Sequence, residues 1–390
     1  MEKVVFVGAA RTPIGKLGGS LATMTAAQLG TVAIQAALNR AKVAPSQVDE
    51  VYLGCAIQAG QGQNVARQAS VNAGLPVTVP ATTVNVMCGS GMHAVNLAAK
   101  LIAMGDAEVM VAGGTESMSS APYLVPKGRF GYKYGNAELV DSLYKDGLED
   151  AFYHYPMGCT AENLVEKYQV TRQELDHFAM QSQVRARTAQ NAGRFKDEIV
   201  PVTVKGRKHT VEVTADEAIR DTSLEKLATL KPVFKEDGDV TAGNSSGLND
   251  GAAALILMSE RRALAEGKEI LGYWQGGTLA GVEPSIMGIG PLAATQKLLS
   301  KTQLSPKELD LVEINEAFAA QAIVCEHELG LDEAKVNVNG GAIALGHPLG
   351  DSGARILVTL LYQMRRQNAK RGLATLCIGG GMGAATLIYR

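Results

Sequence analysis

Aromatic side chains are scarce in this chain: 5% of 390 residues, with a single tryptophan. A surface that stacks nucleobases needs more of them, so nucleic acid is a poor candidate partner. A surplus of one charge is also missing. The 37 basic and 39 acidic residues leave a net charge of -2, too balanced for a nucleic-acid or membrane-surface binder. No apolar run reaches the length of a membrane span, because charges or Gly and Pro interrupt each one. Residues 1–13 hold no charged segment followed by a long apolar stretch and a cleavage site. Thr386–Arg390 carries no prenylation or peroxisomal signal. The five cysteines, Cys55, Cys88, Cys159, Cys325 and Cys377, are odd in number with no close pair, which argues against a disulfide framework and against a metal site. The expectation is a cytoplasmic protein with reduced thiols.

Glycine is what the chain has in excess: 43 residues, well above the roughly 7% of ordinary proteins. They follow no Gly-X-Y period, so some segments need backbone that only glycine permits. Thirteen of the 43 fall in four places: Gly89 and Gly91; Gly113 and Gly114; five between Gly340 and Gly353; and four between Gly379 and Gly383.

Strands are expected at Val4–Val7, Val51–Leu53, Thr82–Val86 and Val109–Ala112, with helices at Ala26–Arg40 and, entered through Met87–Gly91, over about 15 residues ending near Gly105. This alternation implies an α/β protein with a largely parallel sheet. Three stretches recur in the same order. Ala41–Val51 resembles Thr302–Val312, with Pro45 and Pro306 at a helix start. Val84-Asn85-Val86 returns as Val336-Asn337-Val338, and Val109–Gly114 is echoed by Thr375–Gly380. Two similar α/β halves, residues 1–118 with 246–268 and residues 269–390, are the expectation, with a site between them. Residues 119–245 read as a folded insertion with a helix at Arg172–Asn191 and a hairpin from Val202–Val204 to Thr210–Val213.

Cys88 stands between a strand and a helix in Asn85-Val86-Met87-Cys88-Gly89-Ser90-Gly91. The helix dipole there favours thiolate and lowers the pKa of a thiol, whereas a free cysteine is otherwise usually a buried structural residue. Gly89-x-Gly91-x-x-Ala94 also fits a dinucleotide fingerprint. That gives a rival of another class, an NAD-dependent oxidoreductase, although Asp106 and Glu108 come early for a ribose contact. His347 is framed by glycines and follows the second Val-Asn-Val, near the counterpart position of Cys88. A Cys/His pair of this kind generates a thiolate. Cys377 opens Cys377-Ile378-Gly379-Gly380-Gly381-Met382-Gly383; the glycines suit either an oxyanion hole or a tight turn between final strands. Asn315, in Asn315-Glu316-Ala317-Phe318-Ala319, is either a polar anchor for a water or a helix N-cap.

Together these four motifs, in this order and over essentially the whole chain, resemble the thiolase family. The resemblance implies a fold of duplicated βαβαβαββ halves in a layered αβαβα core with an inserted loop domain that binds coenzyme A. It implies that Cys88 is acylated by a thioester and that His347 takes its proton. Backbone N–H groups of Cys88 and Gly379 would hold the acyl-enzyme oxyanion. His347, with a water held by Asn315, would hold the enolate oxygen, and Cys377 would move the α-carbon proton. Leu148, Met157, Arg220, Phe234, Ala242, Ser246 and Leu248 match coenzyme A-binding positions, with Arg220 the nucleotide contact; Met287 and Phe318 match the acyl wall. Lys205, Arg207 and Lys208 are a charged turn that could also attract phosphates. No cofactor or metal is implied, since coenzyme A is substrate and product.

Lys145–Leu148, Met157-Gly158 and Lys205–Lys208 are similar to the short-chain, biosynthetic branch. That branch condenses two acetyl-CoA to acetoacetyl-CoA, commonly as a tetramer built from dimers and joined through the segment at about Pro122–Asp141, here carrying Lys127, Arg129 and Lys133. The rival branch is degradative, with a broader chain length. Two residues depart from the pattern. Pro156 replaces a common histidine, with His154 two residues earlier. Asp351 replaces a small residue and either raises the pKa of His347 or points to solvent.

Overall fold

The computed structural model describes residues 2–206 and 209–390. Arg207 and Lys208, part of the expected charged turn, lie outside the described residues. Nine strands carry the architecture: β1 (Val4–Arg11), β2 (Glu50–Gly54), β3 (Ala81–Val84), β4 (Val109–Ser117), β5 (Asn249–Ser259), β6 (Gly272–Gly281), β7 (Leu311–Ile314), β8 (Arg371–Ile378) and β9 (Met382–Tyr389). They run β7-β8-β9-β6-β1-β5-β4-β2-β3 across a ten-stranded sheet, whose remaining strand, Gly15–Lys16, pairs with β5. Seven helices matter below: α1 (Ala26–Ala41), α2 (Ser90–Met104), α3 (Met157–Tyr168), α4 (Arg172–Asn191), α5 (Gly290–Thr302), α6 (Ala319–Leu329) and α7 (Leu349–Gln367).

The sheet corrects one expectation. Parallel pairing is confined to its two ends, β3 with β2 with β4 and β7 with β8. The middle is antiparallel throughout. The reason lies in connectivity. β5 follows a long insertion and β9 follows a tight turn, so neither arrives by a helical crossover of the kind that enforces parallel pairing. The two halves meet where β1 pairs with β6 through Val4–Phe6 and Gly272–Trp274. The Val-Asn-Val echo also changes form. Val84 ends the edge strand β3, whereas Val336 makes only a single parallel bridge to Val312. Pro45 and Pro306 each open a three-residue 3₁₀ turn before the next strand, as their shared sequence implies.

Local sequence explains the elements that hold the site. α1 starts at Thr25, whose side chain accepts from the Gln28 N–H while Gln28 reaches back to the Thr25 N–H. It buries Leu29, Ala33, Ile34 and Ala37 outside the first half of the sheet. α5 packs in the same way outside the second half. α2 and α7 form the middle layer. Each touches strands of both halves, and they pack on each other, giving the αβαβα order. α7 is covered on all sides: every residue from Leu349 to Met364 is buried, Asp351, Arg355 and Gln363 included.

Such burial requires backbone-to-backbone packing where α7 begins. A Cβ added at Gly114, on β4, would lie 2.1 Å from the carbonyl oxygen of Gly350. The strand and the helix start therefore approach to a distance that no other residue allows.

Among the described residues, no strand of 119–245 joins the large sheet. The segment supplies α3, α4 and small hairpins, including Val202–Lys205 with Thr210–Val213. A fully buried ion cluster ties it to β1. Arg11 Nε donates to Glu198 Oε1 at 2.7 Å, and Arg11 Nη1 and Nη2 donate to the Asp216 carboxylate at 2.7 and 2.9 Å. Bidentate, charge-assisted geometry of this kind fixes orientation as well as distance.

Gly114→Ala is expected to cost about 1–3 kcal/mol or more by overpacking, seen as a lower denaturant midpoint. A wild-type midpoint would show that the strand and helix have room to part.

Candidate active site

A cavity of about 520 Å³ opens between the two halves and residues 119–245, and Cys88, His347, Cys377 and Gly379 line it together. Each arrives by its own local device. Met87, just before Cys88, is held at φ 48°, an uncommon conformation for a side-chain-bearing residue. This sharp elbow is why β3 stops at Val84 rather than running to Val86. The Val86 N–H is taken by Ser90 Oγ at 2.9 Å, and that hydroxyl donates to the Met87 carbonyl at 2.6 Å. Cys377 lies near the end of β8, fully buried against Met287, Ala317, Met157 and Phe318. Gly380 and Gly381, at φ 87° and 83°, make the turn into β9, so the tight-turn reading of this motif holds alongside the cavity one.

His347 is fixed at both ends. Its N–H donates to Asn249 Oδ1 at 2.9 Å. The Ser352 hydroxyl donates to the Pro348 carbonyl at 2.8 Å, which spends its only proton. At 2.6 Å from His347 Nδ1 it must therefore accept, so Nδ1 carries the hydrogen and Nε2 is bare. Asn315 is buried behind the ring and does not line the cavity. Its Nδ2 lies 3.3 Å from Nδ1 and 3.5 Å from Nε2, and its Oδ1 has no hydrogen-bond partner among the described residues.

The electrostatics overturn one expectation. Burial outweighs the helix start and pushes the Cys88 thiol up to about 11, although the backbone N–H groups of Gly379 and of Cys88 itself point at it and pull the other way. Burial, with Arg355 adding to it, presses His347 down to about 3. Cys377 is raised well above the usual thiol range by burial and then by the neighbouring Cys88. The resting site therefore holds two thiols and a neutral imidazole rather than an ion pair. Asp351 fits neither alternative left open for it. It is buried, not solvated, and its own carboxyl is raised to about 8 by burial, while His347 is shifted by Arg355.

Of the expected substrate contacts, Leu148, Met157, Phe234, Ala242, Ser246, Leu248, Met287 and Phe318 line the cavity. Phe234 and Phe318 meet edge to face with centroids 6.2 Å apart. Arg220 is not among them: it is exposed, with Nη2 3.2 and 3.4 Å from the carbonyls of Ala242 and Gly243, just outside the wall. Pro156 is in the lining, whereas His154 stands two residues away with φ 55°. Sequence reasoning missed Met118, Tyr144, Gly147, Val233 and Leu349 of the wall. It also missed the supports Asn249 and Ser352. Ser352 follows the Gly-His-Pro motif by one helical turn, the only local signal available for it. Among the described residues, no cluster of three or more His, Cys, Asp or Glu is placed to hold a metal, and no helix is long and apolar enough to cross a membrane.

A sheet packed on both sides of two central helices, with a cysteine and a histidine at their starts and a second cysteine opposite, defines an acyl-transfer site. Comparison with known proteins agrees. Residues 4–261 match the thiolase N-terminal domain and residues 268–390 the thiolase C-terminal domain. The chain belongs to the thiolase family. It is 56% identical over 390 residues to the acetyl-CoA acetyltransferase of Chromobacterium violaceum and 55% identical over 392 residues to that of Pseudomonas aeruginosa, with 100% of each chain covered. Its fold matches the crystal structure of the Bacillus anthracis acetyl-CoA acetyltransferase with a TM-score of 0.98, at 48% identity and covering 100% and 99% of the two chains. Human mitochondrial 3-ketoacyl-CoA thiolase follows with a TM-score of 0.97, at 46% identity and the same coverage.

Since only thiolate alkylates readily, and the Cys88 thiol is raised to about 11, iodoacetamide labelling of Cys88 in the free protein should still be accelerating at pH 9–10. A plateau near pH 7 would mean that the thiolate is already present at rest.

Proposed function

We propose that the protein is an acetyl-CoA C-acetyltransferase: it condenses two acetyl-CoA into acetoacetyl-CoA and CoA, reversibly, through an acyl-cysteine. The observation that carries this reading is the convergence on one cavity of Cys88, His347 and Cys377, with the N–H groups of Cys88 and Gly379 aimed at the Cys88 sulfur.

Bare Nε2 of His347 is the acceptor for the Cys88 proton. Transfer is unfavourable at rest, so it accompanies attack on the thioester, when the charge moves on to the carbonyl oxygen. The Cys88 and Gly379 N–H groups receive that oxyanion. CoA leaves as the thiol, taking the proton of the Cys377 thiol, so that Cys377 becomes a thiolate and His347 keeps the Cys88 proton on Nε2. A second acetyl-CoA then loses an α-proton to the Cys377 thiolate, which becomes the thiol again. Its enolate oxygen accepts from Nε2–H of His347 and from a water that reaches back to Oδ1 of Asn315, left without a partner among the described residues. Its carbon attacks acetyl-Cys88, whose sulfur leaves and recovers its proton from His347. Two cysteines are needed because one sulfur is occupied by the acyl group while the other exchanges the proton.

The apolar walls, including Leu148, Met157, Met287 and Phe318, suit the pantetheine arm and a short acyl group. Arg220, outside the wall, meets the nucleotide. The reaction so read draws on no cofactor, with coenzyme A as substrate and product. A cytoplasmic homotetramer is the accompanying proposal. Its support is the exposed aromatic segment around Phe130 and Tyr134, within the stretch from about Pro122 to Asp141. The fold is shared by an acetyl-CoA acetyltransferase and a 3-ketoacyl-CoA thiolase, so the branch is decided by chain-length preference.

With acetoacetyl-CoA and CoA and no nicotinamide, the enolate absorbance should fall; its persistence would sink the proposal. Thiolysis should drop steeply above four acyl carbons, whereas a flat profile would assign the degradative branch. Cys88→Ser is expected to lose on the order of 10⁴-fold or more of the rate. Cys377→Ala should lose about 10²–10⁴-fold in condensation while still acquiring the acyl group. Arg220→Ala should raise KM for CoA substrates and leave kcat unchanged.

A further inference from the structure

Glu116 takes no part in the chemistry above and does not line the cavity, yet it stands where three chain segments meet. It is fully buried, next to last on β4. Its Oε2 accepts from the N–H of Gly350 at 2.8 Å and from the N–H of Ala56 at 2.9 Å, and its Oε1 accepts from the N–H of Ile57 at 3.2 Å. The Cys55 thiol donates to Oε1 at 3.5 Å.

Two of these contacts lead to the reacting groups. Gly350 is three residues beyond His347, in the first turn of α7. Ala56 leads the other way. Its carbonyl accepts from Asn85 Nδ2 at 3.0 Å, and Asn85 Oδ1 accepts from the N–H of Met87 at 3.0 Å. Met87 is the residue held at φ 48° immediately before Cys88. An unbroken hydrogen-bonded line thus runs from the turn that presents the base to the elbow that presents the nucleophile, with one carboxylate at its centre.

We propose that Glu116 is a positioning residue for catalysis: through Gly350 on one side and the Ala56–Asn85–Met87 line on the other, it sets the distance between His347 and Cys88. The proposal rests on the roles assigned above to those two residues. A carboxylate is needed because three buried N–H groups converge on it, two of them on one oxygen. An amide offers a single acceptor oxygen and would turn an N–H toward N–H donors, leaving buried groups unpaired. The simpler alternative is that Glu116 only caps α7, a matter of stability. The two differ over Asn85, which is exposed, distant from α7 in sequence, and irrelevant to a cap.

The test is the rate at which acetyl-CoA acylates Cys88, read as the burst of CoA released in rapid mixing, for Glu116→Gln, Asn85→Ala and the double variant. Each single variant is expected to slow the burst about tenfold or more, with KM for acetyl-CoA within about twofold of wild type. The double variant should be no slower than the worse single, to within about twofold, because the second change falls on a line already cut. Losses that multiply, to roughly a hundredfold, or a wild-type burst in Asn85→Ala, overturn the proposal. If Glu116→Gln does not fold, Asn85→Ala decides alone: slowing supports the line, and a wild-type burst refutes it. The wild-type enzyme is the control for the underlying mechanism. No burst there fails the assignment of Cys88 itself, whereas a normal burst in wild type and variants alike fails only Glu116.

Discussion

Everything at this site depends on two helix starts packed so closely that no β-carbon fits between them and the strand they cross. α2 carries Cys88 at its head and α7 follows His347. A Cβ at Gly91 would meet the Gly350 carbonyl at 2.8 Å, and one at Gly353 would meet the Met92 nitrogen at 2.6 Å. Helices with ordinary side chains at these positions pack about 8–10 Å apart, and the nucleophile and base would be separated accordingly. The glycine surplus is therefore a distance setting, and the sheet wrapped around the central layer is the clamp that maintains it. The nucleophile and base sit on short turns pinned between these rigid elements, which is what precise positioning requires.

The same burial creates the electrostatic problem that the site must solve. Cys88 at about 11 and His347 at about 3 are both neutral at rest. A permanently charged thiolate–imidazolium pair would be costly in this apolar pocket. Hydrogen-bond donors already aimed at the sulfur give the charge a destination as soon as a thioester carbonyl arrives. Stabilisation is thus reserved for the transition state rather than spent on the resting enzyme. A neutral resting thiol is also slow to react with adventitious electrophiles.

Much of this was legible in the sequence. Val51–Leu53 and Arg172–Asn191 form where their periodicity places them, and four short motifs located Cys88, His347, Cys377 and Asn315. Three things were not legible, each for a physical reason. Strand direction in the middle of the sheet depends on how β5, β6 and β9 return, and local pattern carries no sign of it. The Cys88 pKa was argued from the dipole of its own helix, whereas burial decides it, in a pocket whose walls include Leu148 and Phe234, far along the chain. The supports are long-range pairings: Asn249 holds His347 across 98 residues and Glu116 holds Gly350 across 234. No spacing rule reaches that far. Arg220 shows the converse limit, since a matching position in a motif does not fix where a long side chain lies relative to a cavity wall.

The central claim is a division of labour between two thiols that share one pocket. The most direct measurement is peptide mapping by mass spectrometry after acetyl-CoA is mixed with the enzyme and quenched in acid. The account predicts one acetyl group per chain, on the peptide containing Cys88, with Cys377 unmodified. Acetyl on Cys377, or on neither cysteine, would contradict it.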